Sequence, residues 1–328
     1  MIKLILLLVA VTAGAWIATR PATPDAFYSH ALPQVAAPGT LLRSEPFAKA
    51  VPAGAKGWRI LYITTRGEKR ALASAVVVVP EGSSAARPVI AWAHGTTGIA
   101  EGCAPSVLDK PFDNLPDINA IVRAGWAYVG TDYPGLGTEG GHTYLVGADA
   151  ARAVLDSVRA ARQLQDANLG DRVVVWGHSQ GGNSALWTGM RAVEFAPELQ
   201  VIGVAALAPA SDLKGLVQAS KGSLFGKIVS SYVIFAYAQA YPDVKVDEYV
   251  GHGPRVIAGD IARRCVAGYP TLFSVLETFL LPAEGIFQKD PTSGPLGTRL
   301  GENTPTSLVP SPLLIAQGET DDLVLPEL

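Results

Sequence analysis

Short apolar runs recur along the chain and alternate with stretches whose apolar residues return at a helical period. The apolar runs are 89–93, 126–131, 172–176, 201–208 and 312–316. The helical stretches are 117–124, 147–165 and 180–192. A strand that is apolar on both faces needs cover on both faces, so the alternation predicts a mostly parallel central sheet with helices on either side. The expected fold class is therefore α/β.

Two longer segments precede these runs and are rich in β-branched and aromatic residues. These segments, 58–65 and 71–80, are separated by a short stretch of charged residues and glycine, which predicts an antiparallel hairpin. Later in the chain, from about residue 211, the alternation stops and helix-like apolar segments follow, which predicts an inserted helical cap. We expect an α/β core over 23–212, the cap over 213–300 and a continuation of the core over 301–328.

The start of the chain has the pattern of a signal peptide. A basic residue, Lys3, precedes an apolar stretch over 4–18. We expect a signal peptide over 1–22 and a secreted protein, extracellular or periplasmic. A membrane anchor is the alternative interpretation, but the stretch is shorter than the ~20 apolar residues that span a bilayer. Export leads to an oxidising compartment, where we expect Cys103 and Cys265 to be joined rather than free.

Composition narrows the class of protein further. With 48% hydrophobic and 17% charged residues, the chain can bury a large core and does not belong to the disordered class. The net charge of -3, without any basic block, offers no electrostatic footprint for a phosphate backbone. Nucleic acid is therefore not an expected partner. Neither cysteine has the histidine neighbours of a metal site, so no metal is expected.

A candidate nucleophile follows the third of the apolar runs. Residues 177–181 read Gly-His-Ser-Gln-Gly, with a predicted strand before them and a predicted helix after them. A serine at such a sharp turn is exposed at the sheet edge, and the helix N-terminus supplies free N–H groups for an oxyanion. We expect Ser179 to be the nucleophile and the Gln180 N–H to be the first oxyanion donor. A chance match in a glycine-rich chain is the alternative.

A second glycine-bearing loop, residues 94–98, follows an earlier strand and has the form of the other oxyanion element. We expect the Thr96 N–H to be the second donor. The alternative is an ordinary glycine turn with His94 packed beneath it, and in either case we expect His94 to shape the loop rather than to move protons. His178 is expected to point away from the serine hydroxyl. Asp132, at another strand end, is expected to support a turn rather than to contact substrate.

The candidate acid is Asp321, which follows the run 312–316 with Gly-x-x-Asp spacing and fits better than Asp322. A histidine is expected after the acid, but the five histidines all precede Asp321: His30, His94, His142, His178 and His252. Of these, His252 in the cap is the only plausible stand-in. Loss of the histidine from a serine triad costs on the order of 10⁶ in turnover. We therefore expect that the sequence is cut short and that the chain as it stands is nearly inactive.

Taken together, these motifs resemble the secretory lipase family, the group of fungal lipase A and its bacterial relatives within the α/β-hydrolase fold. The resemblance runs from about residue 38 to the end. Besides the motifs above, it rests on residues 38–45, 103–106, 131–137 and 142–145. It implies hydrolysis of carboxylic esters, lipids included, with the cap forming much of the acyl pocket. It also implies a disulfide between Cys103 and Cys265, and a histidine beyond the acid.

The expected partners are a small ester or lipid substrate and, transiently, a lipid interface. No organic cofactor and no obligate protein partner is implied. Two other function classes remain open. A non-catalytic binding protein on the hydrolase fold would suit the missing histidine, and a peptidase could use the same triad, because the triad alone does not choose between esters and amides.

Overall fold

Eight β-strands form one sheet in the computed structural model, which describes residues 14, 16–82 and 85–328. The strands are Leu41–Pro46 (β1), Ala55–Arg66 (β2), Lys69–Pro80 (β3), Arg87–Ala93 (β4), Ala127–Thr131 (β5), Leu169–His178 (β6), Gln200–Leu207 (β7) and Leu313–Ala316 (β8). Their order across the sheet is β1-β2-β3-β5-β4-β6-β7-β8. Strands β4 to β8 run parallel, whereas β1, β2 and β3 pair antiparallel. The predicted mostly parallel sheet is confirmed.

The predicted hairpin is present as β2 and β3, which pair along their whole length from Ala55↔Pro80 to Arg66↔Lys69. Strand β1 was not predicted. It pairs antiparallel with β2 at the sheet edge, and its side chains are half-buried or exposed. Such a strand lacks the apolar run by which the inner strands are recognised.

Helices cover both faces of the sheet. The core helices are Ile118–Arg123 (α1), Gly147–Ala161 (α2) and Gln180–Phe195 (α3). Val89 and Ala91 of β4 pack in one cluster with Leu155 of α2. Trp92, on the opposite face of the same strand, packs with Ile121 of α1. Successive residues of β4 are thus buried on opposite sides, as the apolar run predicts.

The chain between β7 and β8 consists of helices with a hydrophobic cluster of their own. They are Leu213–Ser220 (α4), Leu224–Ala240 (α5), Val246–Tyr249 (α6), His252–Ile261 (α7), Tyr269–Thr278 (α8) and Gly294–Glu302 (α9). Helix α5 lies at the centre, with Ile228, Tyr232 and Tyr237 fully buried. From the core, Tyr144 and Leu145 join this cluster. These helices lie where the sequence predicts the cap, and we refer to them as the cap.

A disulfide ties the core to the cap, joining Cys103 and Cys265 with their Cα atoms 5.3 Å apart. Next to it, the Val266 N–H donates to the Thr97 carbonyl at 2.8 Å. The predicted pairing is present, and it links the loop after β4 to the segment after α7.

Strand β8 departs from the pattern of the other parallel strands. Its apolar run predicts cover on both faces, yet Leu313, Leu314 and Ile315 are 42%, 59% and 54% exposed. It pairs with β7 along one edge, and no helix of the described residues packs on it as α2 packs on β4. The prediction of cover is therefore wrong for this strand.

The predicted signal peptide over 1–22 lies for the most part outside the described residues. Within the part of the chain that the structure does describe, no helix has both the length and the apolar character to cross a membrane.

Candidate active site

Ser179 occupies the sharp bend between the end of β6 and the start of α3. Its backbone has φ 57° and ψ -118°, a conformation that costs a residue with a side chain on the order of 1–3 kcal/mol. Three hydrogen bonds hold this bend in place. The Ser179 N–H donates to the Leu207 carbonyl at 2.9 Å, and its own carbonyl accepts from the N–H groups of Asn183 (3.1 Å) and Ala210 (3.2 Å). The bend is thus anchored to the end of β7.

The two glycines around Ser179 are required by close backbone contacts. A Cβ added at Gly177 would collide with the carbonyl of Gly181. A Cβ added at Gly181 would collide with the carbonyl of Ala93, at the end of β4. This crowding is the physical reason for glycine at both positions.

The two predicted oxyanion elements lie side by side. Gln180 is the first residue of α3, where backbone N–H groups have no partner within the helix. The loop after β4 reaches the same place, since a Cβ on Gly95 would lie 3.2 Å from the His178 carbonyl and 3.9 Å from the Ser179 Cβ. Thr96 follows in that loop. The predicted nucleophile and the two predicted donors are therefore brought together.

Ser179, Gln180 and Thr96 line one cavity, whose empty volume is about 530 Å³ with its open mouth included. The rest of the wall is mainly apolar and comes largely from the cap and the C-terminal loop. It comprises Tyr144, Leu145, Ala210, Leu213, Leu216, Val217, Ser220, Phe225, Val229, Val233, Leu300, Leu323 and Val324. None of these described residues is charged. Such a wall suits a hydrocarbon chain bound next to the serine.

Asp321 orders the loop that completes this wall. Its Oδ1 accepts from the N–H groups of Leu323 (2.9 Å) and Val324 (3.0 Å), and its Oδ2 accepts from the Gln317 amide at 3.2 Å. Leu323 and Val324 in turn line the cavity of Ser179. The acid is thus placed in a loop at the same cavity, whereas Asp322 is exposed.

Three of the histidines, His94, His178 and His252, differ in their burial and contacts. His94, the first residue of the loop after β4, is buried with its Nδ1 2.7 Å from the Gly95 carbonyl, and burial lowers its pKa to about 4. His178 is exposed at the end of β6, and His252 is exposed at the start of α7. The position of His94 agrees with its expected part in shaping the loop. His252 is not among the residues that line the cavity.

Asp132 is fully buried and serves as an acceptor for two serines. Its carboxylate accepts from the hydroxyl of Ser74 at 2.6 Å, and from the hydroxyl (2.5 Å) and N–H (2.9 Å) of Ser106. Burial raises its pKa, and the three donors act against that shift. These contacts agree with the expected supporting part of Asp132, which is not among the residues that line the cavity.

The sequence predicts no individual role for two further residues at the site, His142 and Tyr144, beyond the family resemblance. The Nε2 of His142 lies 3.0 Å from the Gln180 Nε2, and the Tyr144 hydroxyl lies 2.8 Å from the Thr96 Oγ1. His142 and Gln180 are far apart in sequence, and no spacing rule links them. Only the fold brings the pair together.

The sequence is similar to lipases from several organisms. The sequence model described as secretory lipase matches residues 114–326, well over half of the chain. The probable inactive lipase of Mycobacterium tuberculosis is 26% identical over 92% of this chain and 70% of that protein. Lipase 6 of Candida albicans is 25% identical over 82% of this chain and 62% of that protein. Lipase A of Moesziomyces aphidis is 26% identical over 45% of this chain and 34% of that protein. The chain thus spans between about a third and 70% of the length of these relatives.

Solved structures show the same fold. Candida antarctica lipase A superposes with a TM-score of 0.76, at 19% identity, over 93% of this chain and 76% of that chain. The rice cell wall degrading esterase LipA of Xanthomonas oryzae superposes with a TM-score of 0.72, at 22% identity, over 89% of this chain and 86% of that chain. The fold of this chain is therefore that of α/β-hydrolase lipases and esterases.

Proposed function

Because this chain belongs to the secretory lipase family, we propose that it hydrolyses carboxylic esters through an acyl-enzyme on Ser179. The observation that carries the proposal is the position of Ser179. It lies at a strained bend that opens into an apolar cavity, directly before a helix N-terminus. A nucleophile, unpaired N–H groups and room for an acyl chain are what acyl transfer requires.

The proposed reaction has two halves. The Ser179 Oγ attacks the ester carbonyl and gives its proton to a base, and the N–H groups of Gln180 and Thr96 hold the resulting oxyanion. The C–O bond to the alcohol then breaks, and the alcohol leaves with the proton, so that the acyl group remains on Ser179. Water attacks this acyl-serine in the same way, which releases the carboxylic acid and restores the hydroxyl.

In this proposal, Asp321 orients a histidine that acts as the base. None of the five histidines of the sequence is assigned to that task. His94 and His142 are buried and hydrogen-bonded elsewhere, and no histidine follows Asp321 in the 328 residues. Activity is therefore to be measured on the protein of 328 residues and, where the gene continues past Leu328, on the longer product as well.

The cavity wall supports an acyl substrate over a peptide. Its side chains from α4 and α5 include Leu216, Val217, Phe225 and Val229, and none of the described lining residues is charged. We propose that these helices hold the acyl chain. The protein is further proposed to be secreted, in line with the family to which it belongs, and to contact lipid interfaces transiently during turnover.

The test compares Ser179→Ala with Ser157→Ala. Ser157 is a buried serine of α2 whose hydroxyl donates to the Val154 carbonyl, away from the cavity. With p-nitrophenyl esters of increasing acyl length, Ser179→Ala is expected to abolish turnover and Ser157→Ala to preserve it. A Ser179→Ala protein as active as a parent with measurable turnover would end the proposal, and cleavage of peptide amides in preference to esters would favour a peptidase.

A non-catalytic binding protein is the second candidate. It is favoured by the similarity to a probable inactive lipase and by the absence of an assigned histidine. The same cavity would then bind an acyl chain without cleaving an ester. Saturable binding of a fatty acid, together with no acyl-serine in the mass spectrum of the protein, would support this function.

A further inference from the structure

The segment between β5 and α2 supplies two buried side chains that contact the proposed oxyanion donors. They are His142, 3% exposed, and Tyr144, 2% exposed. Neither belongs to the triad or supplies one of the proposed donors. Their contacts run to Gln180 on one side and to Thr96 on the other. One segment thus reaches both elements of the site.

The hydrogen bond between His142 and Gln180 has a defined direction. The His142 Nδ1 lies 3.3 Å from the Pro134 carbonyl, which only accepts, so Nδ1 carries the ring proton and donates it. The Nε2 atom then has a free lone pair and accepts from the Gln180 amide at 3.0 Å. The ring is neutral above acidic pH, because burial and the neighbouring His94 lower the pKa of His142 to about 3.

Aromatic contacts fix the orientation of the His142 ring. It stacks on Tyr133, with ring centroids 5.7 Å apart and planes 20° apart, and its other neighbour Tyr144 meets it edge to face at 6.1 Å. Tyr133 is itself tied to the oxyanion loop, since its hydroxyl donates to the His94 carbonyl at 3.3 Å. The acceptor atom of His142 therefore cannot turn away from Gln180 without disturbing this stack.

The position of Gln180 makes this contact important for the site. Gln180 is the first residue of α3, is 3% exposed, and is joined to Ser179 by the peptide whose N–H is the proposed donor. An oxyanion donor lowers the barrier only if it already points at the place where charge will develop. A side chain anchored at this position restrains rotation of that peptide.

We propose that His142 is a positioning residue for the oxyanion site, which holds the Gln180 side chain and thereby aims the Gln180 N–H. This inference rests on the proposed function of Ser179 and Gln180. Tyr144 holds Thr96 in the same way through the 2.8 Å contact of their hydroxyls. His142 itself exchanges no proton with the substrate.

The test compares three variants. His142→Phe keeps a ring but removes the acceptor. His142→Gln offers an amide that can accept from Gln180 and donate to Pro134. Tyr237→Phe is the matched control, because the buried Tyr237 hydroxyl donates to the Leu145 carbonyl of the same region but contacts neither donor. Each variant is measured for kcat and KM with p-nitrophenyl butyrate, for the affinity of phenylboronic acid, and for urea unfolding.

Phenylboronic acid is chosen because it reports on the oxyanion site without turnover. Its boron bonds to the Ser179 Oγ as a fourth ligand while the hydroxyl proton is released to the buffer, which gives a tetrahedral anion similar to the reaction intermediate. His142→Phe is expected to lower kcat by about tenfold to hundredfold, which is less than the ~10²–10³-fold loss of kcat when a whole oxyanion donor is removed. The KM of this variant is expected to stay within about twofold of the parent. The boronic acid is expected to bind more weakly by a similar factor. His142→Gln is expected to recover most of both losses, and Tyr237→Phe to stay within about twofold of the parent.

The outcomes separate this inference from the proposed function. If Ser179→Ala keeps full activity, or the parent does not bind the boronic acid, the proposed function fails and this inference with it. If Ser179→Ala is inactive while folded His142→Phe retains the kcat and boronic acid affinity of the parent, only the proposed positioning role of His142 is overturned. That role is likewise overturned if His142→Gln recovers neither kcat nor boronic acid affinity, or if Tyr237→Phe loses as much of both as His142→Phe does. Where kcat is too low to measure, boronic acid binding decides alone.

Discussion

Gly181 packs directly on the carbonyl of Ala93, so that the helix after the nucleophile touches the end of β4 at a point where no side chain fits. This contact sets the distance between the bend at Ser179 and the loop that carries Thr96. It therefore links backbone packing to the geometry of the proposed oxyanion site.

Gly181→Ala is expected to push α3 away from β4. We expect a loss of about 1–3 kcal/mol in the free energy of unfolding, typical of overpacking, and a loss of esterase activity in the protein that remains folded. Gly253→Ala is the matched control, since Gly253 lies in α7 with no atom within 4 Å of an added Cβ. Urea unfolding and ester turnover measure both effects. Equal stability of the two variants would contradict the prediction.

Strain at Ser179 predicts a difference between two inactive variants. Both Ser179→Gly and Ser179→Ala remove the hydroxyl, but only glycine accepts φ 57° and ψ -118° at little cost. Ser179→Gly is expected to be more stable than Ser179→Ala by about 1 kcal/mol. At Ser157, inside α2, the order is expected to reverse, because glycine costs about 1 kcal/mol relative to alanine in a helix. Thermal unfolding of the four variants checks the two orders.

The acyl pocket is expected to be shortened by a larger side chain on α5. Val229→Phe adds a ring to the wall of the cavity, so we expect kcat/KM for long acyl esters to fall about tenfold or more relative to acetate esters. Val256→Phe is the control, because Val256 is 71% exposed on α7 and lies outside the cavity. An unchanged chain-length profile in Val229→Phe would place the acyl chain elsewhere.

Two buried histidines predict a loss of stability in mild acid. Burial lowers the pKa of His94 to about 4 and that of His142 to about 3, against 6.5 for an exposed histidine. Below pH 6.5 the unfolded chain therefore binds protons that the folded chain does not. The stability that these two histidines contribute is full above pH 6.5 and falls towards about pH 4 by up to about 1.4 kcal/mol per pH unit for each histidine. The raised pKa values of Asp132 and of Glu277, the latter about 8, act in the opposite direction, since the folded form takes up these protons first.

Urea unfolding between pH 7 and pH 4.5 measures this slope. His142→Gln is expected to reduce it by about one proton, whereas Tyr237→Phe, which removes no group that titrates in this range, is expected to leave it unchanged. If the parent and His142→Gln have the same slope, His142 does not stay neutral through burial.

Periodicity was sufficient to predict the inner part of the fold. The strands with central positions, such as β4 and β5, are buried on both faces, and a run of apolar residues records that burial directly. The edge strands were harder to judge from the sequence. Strand β1 is partly exposed and has no apolar run. Strand β8 has an apolar run, but its side chains are exposed. In both cases, the environment depends on neighbours that local sequence does not encode.

Some features of the candidate site could be predicted from the sequence and others could not. The elbow around Ser179 could be predicted because its glycines and its strand-to-helix context are local. The hydrogen bond between His142 and Gln180 could not, because two side chains on separate segments meet only through tertiary packing. The role of Asp321 in ordering the loop that closes the cavity wall also depends on tertiary packing, although its position after β8 was predictable.

The disulfide encloses most of the chemistry in a covalent loop. The sequence between Cys103 and Cys265 includes Ser179, the helices α4 and α5, and the segment with His142. A single cut by a protease anywhere inside this loop would leave the two fragments of the protein attached to each other. The nicked protein would keep its apparent mass on a gel until a thiol reductant separated the pieces.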